Sequence, residues 1–408
     1  MAADMDSDSI IYLDNNATTP PDPDVIQTVT RAMQESYANA SNTAHAPGQA
    51  ARVAVETARE QVASLIGARI KDVVFTSGAT ESCNLAIKGL AATARQPGHI
   101  VTAINEHKAV TEPVKRLQLA GWEVTWLRPD RYGMIHAEQV AQAIRADTLL
   151  VSIMAANNVV GTINPIGEIG SLCRQRGVLL HCDATQAVGK VAVDVEAEQV
   201  DLLSLSAHKF HDPKGVGALY VRRRSPKARL IPLLDGGGHE RGLRSGTLNV
   251  PGIAGLGEAC RIAAERLDAD AERITGLRDR LQRSIEDGLG PLNVHLNGHP
   301  TDRLPNTLNV ALEGVEANEL LRTVGGVAFS AGSACTSGTS DPFYVLRSMG
   351  MDEQRAACSV RLSLGRFTTA KQVDRAAEQI VSAARSLTAV RAVASGSCCC
   401  DGDDACEC

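Results

Sequence analysis

Between residues 73 and 221 the chain alternates short β-branched runs with helix-forming stretches, and no other feature limits its fold as strongly. The runs are 73–76, 99–104, 123–127, 149–154, 178–182, 202–206 and 216–221. Seven such runs with mostly helical connections predict an α/β fold: a mostly parallel sheet covered by helices on both faces. The last run follows its predecessor after only nine residues. A parallel crossover needs more, so this strand is expected to be antiparallel.

Residues 50–66 predict a helix that Gly67 stops, and 250–289 read as a long, charged, alanine-rich helical spacer. Beyond it, strands are expected at 307–312, 328–330 and 359–364, with helices near 317–324 and 370–393: a smaller α+β domain. A chain of 408 residues, 44% hydrophobic, can bury two cores of this kind. The charge balance, 41 − 47 = −6, offers no basic surface for nucleic acid. No apolar run reaches the ~18 residues of a membrane helix. The acidic start, Met1-Ala2-Ala3-Asp4, lacks the features of a secretory signal, so a cytoplasmic protein without membrane contact is expected.

Thiols stay reduced in that compartment. Six of the eleven cysteines are spread through the body: Cys83, Cys173, Cys182, Cys260, Cys335 and Cys358. Five crowd the end: Cys398, Cys399, Cys400, Cys406 and Cys408. Only Cys335 among the body cysteines lies in a loop of tiny residues, Ser330-Ala331-Gly332-Ser333-Ala334-Cys335-Thr336-Ser337-Gly338, where a thiolate could act as nucleophile. The others fit buried roles as small hydrophobes.

Ligands of open α/β sheets gather beyond the carboxyl ends of the strands. There the chain places Thr76-Ser77-Gly78-Ala79-Thr80-Glu81, either an ordinary strand–helix turn or a phosphate site at a helix start. Its spacing fits neither a dinucleotide fingerprint nor a P-loop. Asp183, just past an apolar strand, could cap a helix or hold a protonated ring nitrogen. Lys209, one of nine lysines, follows another strand and is flanked by His208 and His211. A lysine shielded from water can form a Schiff base with an aldehyde. Anion cradle, strand-end aspartate and strand-end lysine together are what pyridoxal phosphate requires. His107 follows the 99–104 strand and could stack on a planar ring; His45, His136, His181, His295 and His299 read more simply as surface or turn residues.

With Tyr12-Leu13-Asp14-Asn15-Asn16-Ala17-Thr18-Thr19-Pro20, Glu106-His107-Lys108-Ala109-Val110, Asp183-Ala184-Thr185-Gln186, Ser206-Ala207-His208-Lys209, Arg241-Gly242-Leu243-Arg244-Ser245-Gly246-Thr247 and Arg361-Leu362-Ser363-Leu364-Gly365-Arg366, the chain resembles the cysteine desulfurases of the NifS/IscS type. These are fold-type-I pyridoxal-phosphate enzymes of the class-V aminotransferase group. The resemblance implies a large domain with a seven-stranded, mostly parallel sheet and a smaller α+β domain. The expected division is a flexible 1–10, a segment 11–20 joining the small domain, a large domain 21–262, a small domain 263–394 and a flexible cysteine-rich tail 395–408.

The resemblance also implies the site. Lys209 would bind pyridoxal 5'-phosphate as a Schiff base, Asp183 would pair with its ring nitrogen, and Gln186 would donate to its ring oxygen. His107 would stack on the ring and carry a proton. Ala79, Thr80, Ser206 and His208 would bind the phosphate, joined by Thr247 of the partner subunit in a homodimer. Asn158 and Arg361 would hold L-cysteine. Cys335 would take its sulfur as a persulfide and pass it to an iron–sulfur scaffold or another sulfur acceptor; Cys335 is also a candidate iron–sulfur ligand. No metal is expected in the core. The tail cysteines stay open between an inert tail, a soft-metal cluster and a sulfur relay. A selenocysteine lyase, or a β-lyase on another amino acid, is the nearest rival; a sulfur-relay or scaffold-binding protein is another; a transaminase would leave Cys335 without a task. Three residues depart from the family pattern: Val159 replaces a glutamate, Cys83 an asparagine and Asp212 a glycine.

Overall fold

The computed structural model describes residues 10–225, 227–331 and 343–396. Cys335, the tail cysteines and the first nine residues lie outside them. Strand β1 (Ile11–Tyr12) precedes seven strands of one sheet: β2 (Val73–Thr76), β3 (His99–Ala103), β4 (Glu123–Leu127), β5 (Thr148–Ser152), β6 (Leu179–Asp183), β7 (Leu202–Ser206) and β8 (Gly217–Val221). Their order is β2-β8-β7-β6-β5-β3-β4. β8 runs antiparallel to both neighbours, and the other pairings are parallel. The short connection into β8 forces this reversal, as expected. It also puts the residues before β8, Lys214 and Gly215, at the same sheet edge as the carboxyl ends of the other strands.

Alternation along each strand feeds two cores. Val73, Phe75, Ala218 and Tyr220 pack against the Ala46–Leu65 helix and the first half of the Val250–Leu289 helix. Val74, Leu219 and Val221 face the Ala79–Ala91 and Lys108–Leu119 helices. Both faces are therefore apolar, the pattern of a sheet covered on both sides.

A second sheet holds β9 (Val294–Leu296), β10 (Thr307–Leu312), β12 (Ser330–Ala331) and β13 (Ser359–Ser363) in the order β12-β13-β10-β9, all antiparallel. Between them in sequence, β11 (Val327–Ala328) pairs in parallel with β1. Ile11 and Leu13 are buried in the core of this second sheet with Leu308, Val310 and Leu362. The Val250–Leu289 helix hands over between the cores: Ile253, Leu256 and Cys260 belong to the first, Ile274, Leu281 and Ile285 to the second. Among the described residues no helix is long and apolar enough to cross a membrane.

Cys83, Cys173, Cys182, Cys260 and Cys358 are all buried, as expected of small hydrophobes. His181 is not the surface or turn residue its type implies. It is fully buried on β6, its ring nitrogens bonded to Ser152 Oγ (2.8 Å) on β5 and Ser204 Oγ (2.9 Å) on β7. Burial pushes its pKa down to about 4. A neutral imidazole whose two nitrogens are both satisfied by flanking strands costs little inside a core.

Asp212, where the family pattern has glycine, is 1% exposed, and neither carboxylate oxygen has a hydrogen-bond partner among the described residues. It faces the Val250–Leu289 helix, where a methyl group on Gly255 would lie 2.3 Å from Asp212 Oδ1. Burial raises its pKa to about 8. The folded chain then keeps a proton that the unfolded chain, at the ordinary value of 3.8, has released. Stability should therefore fall as pH rises between those two values, by at most ~1.4 kcal/mol per unit. Asp212→Asn should lack this fall, so its stability advantage over the wild type should widen from pH 5 to pH 8 in denaturant melts; parallel curves would refute it.

Candidate active site

A cavity of about 410 Å³ opens at the carboxyl ends of β2, β3, β5, β6 and β7. Its lining includes Ala79, Thr80, His107, Asn158, Asp183, Gln186, Ser206, His208 and Lys209. Residues scattered over more than a hundred positions thus meet, because parallel strands deliver their carboxyl ends to one edge.

The turn after β2 forms the floor. Gly78 has φ +149°, a conformation that glycine adopts without strain, and it opens the Ala79–Ala91 helix with no side-chain cap. The first N–H groups of that helix are left to a ligand, and the helix dipole favours an anion there. Ser206 Oγ would lie 3.6 Å from a methyl group on Gly78, so the cradle is narrow and polar on its far side. Glu81 closes the turn, accepting from Ser77 N (2.8 Å) and from Arg244 Nε (2.9 Å). Burial holds the His208 ring neutral, with a pKa down to about 4, and the positive charges of Lys209, Lys214 and Lys190 act in the same sense. These residues fit a phosphate group.

Asp183 ends β6 and is 5% exposed. Its Oδ1 accepts from Thr185 N (3.0 Å) and from Thr185 Oγ1. A carboxylate fixed this way at a cavity wall can hold a protonated ring nitrogen. His107 caps the Lys108–Leu119 helix, its Nδ1 accepting from Ala109 N at 3.1 Å. Burial lowers its pKa. The neutral ring with Nδ1 as acceptor carries its proton on Nε2, an assignment made from this bond.

Lys209 follows β7 in a short turn, its Nζ donating to Asn16 O (2.7 Å) and Ala17 O (2.8 Å). Burial, reinforced by Arg361, lowers its pKa to about 8, so near neutrality a useful fraction is free amine, the form that attacks an aldehyde.

Arg361 on β13 does not line the cavity but reaches it from the second sheet through Asn158, which does. Its Nη1 donates to Asn158 O (3.0 Å), and its Nη2 donates to Asp14 Oδ1 (2.7 Å) and Ser330 Oγ (2.9 Å). Two buried polar atoms there, Arg361 Nε and Asn158 Oδ1, have no hydrogen-bond partner among the described residues. A donor and an acceptor left unpartnered on two residues that touch suit a small zwitterion. Thr247 is exposed and does not line the cavity. Cys335 is outside the described residues.

Asp14, Asn16 and Lys190 carry site contacts but had no expected role, although Asp14 and Asn16 lie in the 12–20 block that carries the resemblance. Asn16 touches seven partners spread along the chain, among them Lys209, Gln186 and Thr307. Nothing local to it could have announced this. Lys190 could have been found by its spacing, four residues beyond Gln186.

The Aminotransferase class-V family pattern matches residues 11–376. The chain belongs to the class-V aminotransferase family. Among relatives within this family, "Cysteine desulfurase IscS" of Anaeromyxobacter dehalogenans (strain 2CP-C) is 52% identical over 367 residues, covering 90% of each chain. A solved "NIFS-LIKE PROTEIN" is 38% identical with TM-score 0.84, covering 91% of this chain and 98% of its own. A structure of "SspA in complex with cysteine" is 36% identical with TM-score 0.75, covering 88% and 99%. The class-V assignment agrees with the expected α/β fold-type-I architecture.

Proposed function

We propose that the protein is a cysteine desulfurase that uses pyridoxal 5'-phosphate to convert L-cysteine to L-alanine and leaves the sulfur on Cys335. The observation that carries this reading is the convergence of an uncapped helix start, Asp183, His107 and Lys209 on one cavity. The relatives named above support it.

Lys209 would hold the cofactor's aldehyde carbon, Asp183 its ring nitrogen, Gln186 its ring oxygen, and Ala79, Thr80, Ser206 and His208 its phosphate, with His107 against its ring. When bound, pyridoxal phosphate supplies an electron sink for bonds at the substrate's Cα. Arg361 and Asn158 orient the amino acid, the guanidinium taking its carboxylate. Lys209 Nζ moves the proton at Cα, for which its lowered pKa suits it. The Cys335 thiolate then bonds to the substrate sulfur as the Cβ–S bond breaks, and the carbon keeps the electron pair and gains a proton to give alanine. His107 Nε2–H would carry that proton. The exposed position of Thr247 fits service in the site of a second copy, hence a homodimer. The change of core along the long helix supports a division into 21–262 and 263–394. The persulfide would pass in the cytoplasm to an iron–sulfur scaffold or another thiolation acceptor.

The test is alanine release. With added pyridoxal phosphate, L-cysteine and a thiol reductant, the protein should form alanine and sulfide in equal amounts. Turnover of selenocysteine or cysteine sulfinate with none of cysteine would shift the assignment to a related lyase.

A further inference from the structure

We propose that Lys190 is a positioning residue for the cofactor: it locks the amide of Gln186 in one orientation and places a second amine behind Lys209. The proposal rests on the cofactor reading above.

Lys190 Nζ donates to Gln186 Oε1 at 2.6 Å and lies 3.5 Å from Asn16 Oδ1. Gln186 Nε2 donates to Asn16 O at 2.9 Å, the carbonyl that also accepts from Lys209 Nζ at 2.7 Å. Both ends of the amide are therefore committed. This matters because the two ends of a glutamine differ only in donating or accepting, and the surrounding network alone decides which points where. An amine in either protonation state can donate to Oε1, and as an ammonium it can do nothing else. Oε1 is thus held toward Lys190, and Nε2 keeps a second hydrogen for a ring oxygen in the cavity.

The electrostatic setting is equally specific. No carboxylate pairs with Lys190 among the described residues. Burial pushes its pKa well below the usual lysine value, and the charges of Lys209 and Arg361 add to this. His208 and His211, on the Lys209 turn, face it and are kept neutral in part by it. Across the site, Asp183 and Asp14 act on Lys209 in the opposite sense. Lys190 and Lys209 also share a small cavity of about 30 Å³, bounded by Asp270 and Arg366. A fold retains an amine this buried without a carboxylate partner only at a cost. Here the arrangement fixes the Gln186 donor beside the carbonyl that also holds Lys209, the amine whose protonation the chemistry depends on.

The experiment is a pH titration of the visible absorption band of the bound cofactor, without substrate, in wild type, Lys190→Met and Lys190→Arg holoenzymes. Without Lys190 the Gln186 amide is free to turn, and a ring oxygen that loses its donor makes protonation at Lys209 easier. The apparent pKa of the band should rise by about one unit in Lys190→Met and stay at the wild-type value in Lys190→Arg. A Lys190→Met band that titrates like the wild type overturns the proposal. If Lys190→Met does not retain cofactor, Lys190→Arg decides: a wild-type titration supports the proposal, and loss of the band there too marks Lys190 as a packing residue and overturns it. A wild-type protein with no pH-sensitive cofactor band would instead refute the cofactor reading.

Discussion

Lys209→Ala should lose the visible band of bound pyridoxal phosphate and lower alanine formation by roughly 10³-fold or more. The effect is large because one atom serves twice. Nζ is the only lysine amine in the cavity lining with burial and neighbours that bring its pKa to about 8; the other lining lysine, Lys214, is exposed. The same amine, once released from the cofactor, is the base for the substrate's Cα. Structural loss should be small, since the side chain bonds only to the carbonyls of Asn16 and Ala17, which water can satisfy at an open cavity. Lys209→Arg should not rescue, because guanidinium stays protonated and cannot attack an aldehyde. Absorbance spectra and alanine assays on both variants check this; an unchanged band in Lys209→Ala would refute the assignment.

Cys335→Ser should behave in the opposite way: full cofactor colour, no sulfur transfer. A serine hydroxyl does not ionise near neutral pH and is a poor acceptor for sulfur, whereas a thiolate is the attacking form in sulfur exchange. The expected loss of labelled sulfur bound to protein is roughly 10³-fold, comparable to removal of other covalent nucleophiles. Incubation with sulfur-labelled cysteine, followed by gel separation without reductant, reads it directly. Label retained by Cys335→Ser would move the acceptor role to another thiol. The tail cysteines are then the first to test, since the described body cysteines are buried. Burial pushes the Cys83, Cys182 and Cys260 thiols well above their usual pKa.

Legibility in the sequence followed the range of the interactions involved. The seven strands of the main sheet were readable because each is a run of β-branched and aliphatic residues, and the antiparallel β8 was readable from connection length alone. β1 and β9, two and three residues long, carry too little pattern to register. In the site, Asp183, Ser206 and Lys209 stood out because each ends or follows a strand. Asp14 and Asn16 did not, since they matter through partners as distant in sequence as Arg361 and Ser363. His181 was misread because residue type says that histidine prefers the surface. Only the neighbouring strands reveal that Ser152 and Ser204 satisfy it.

The Val250–Leu289 helix has a mechanical consequence. Its 40 residues form one unbroken rod, gripped at one end by the core beneath Lys209 and at the other by the core beneath Arg361. Each residue of an α-helix advances ~1.5 Å and turns ~100°. The rod therefore sets an angular phase between the element that carries the amine and the one that carries the guanidinium. Substitutions on its solvent side leave that phase alone. One residue inserted between Cys260 and Ile274 would turn Arg361's sheet through a quarter-circle or more, so the solvent-facing residues of this stretch can vary but its length cannot.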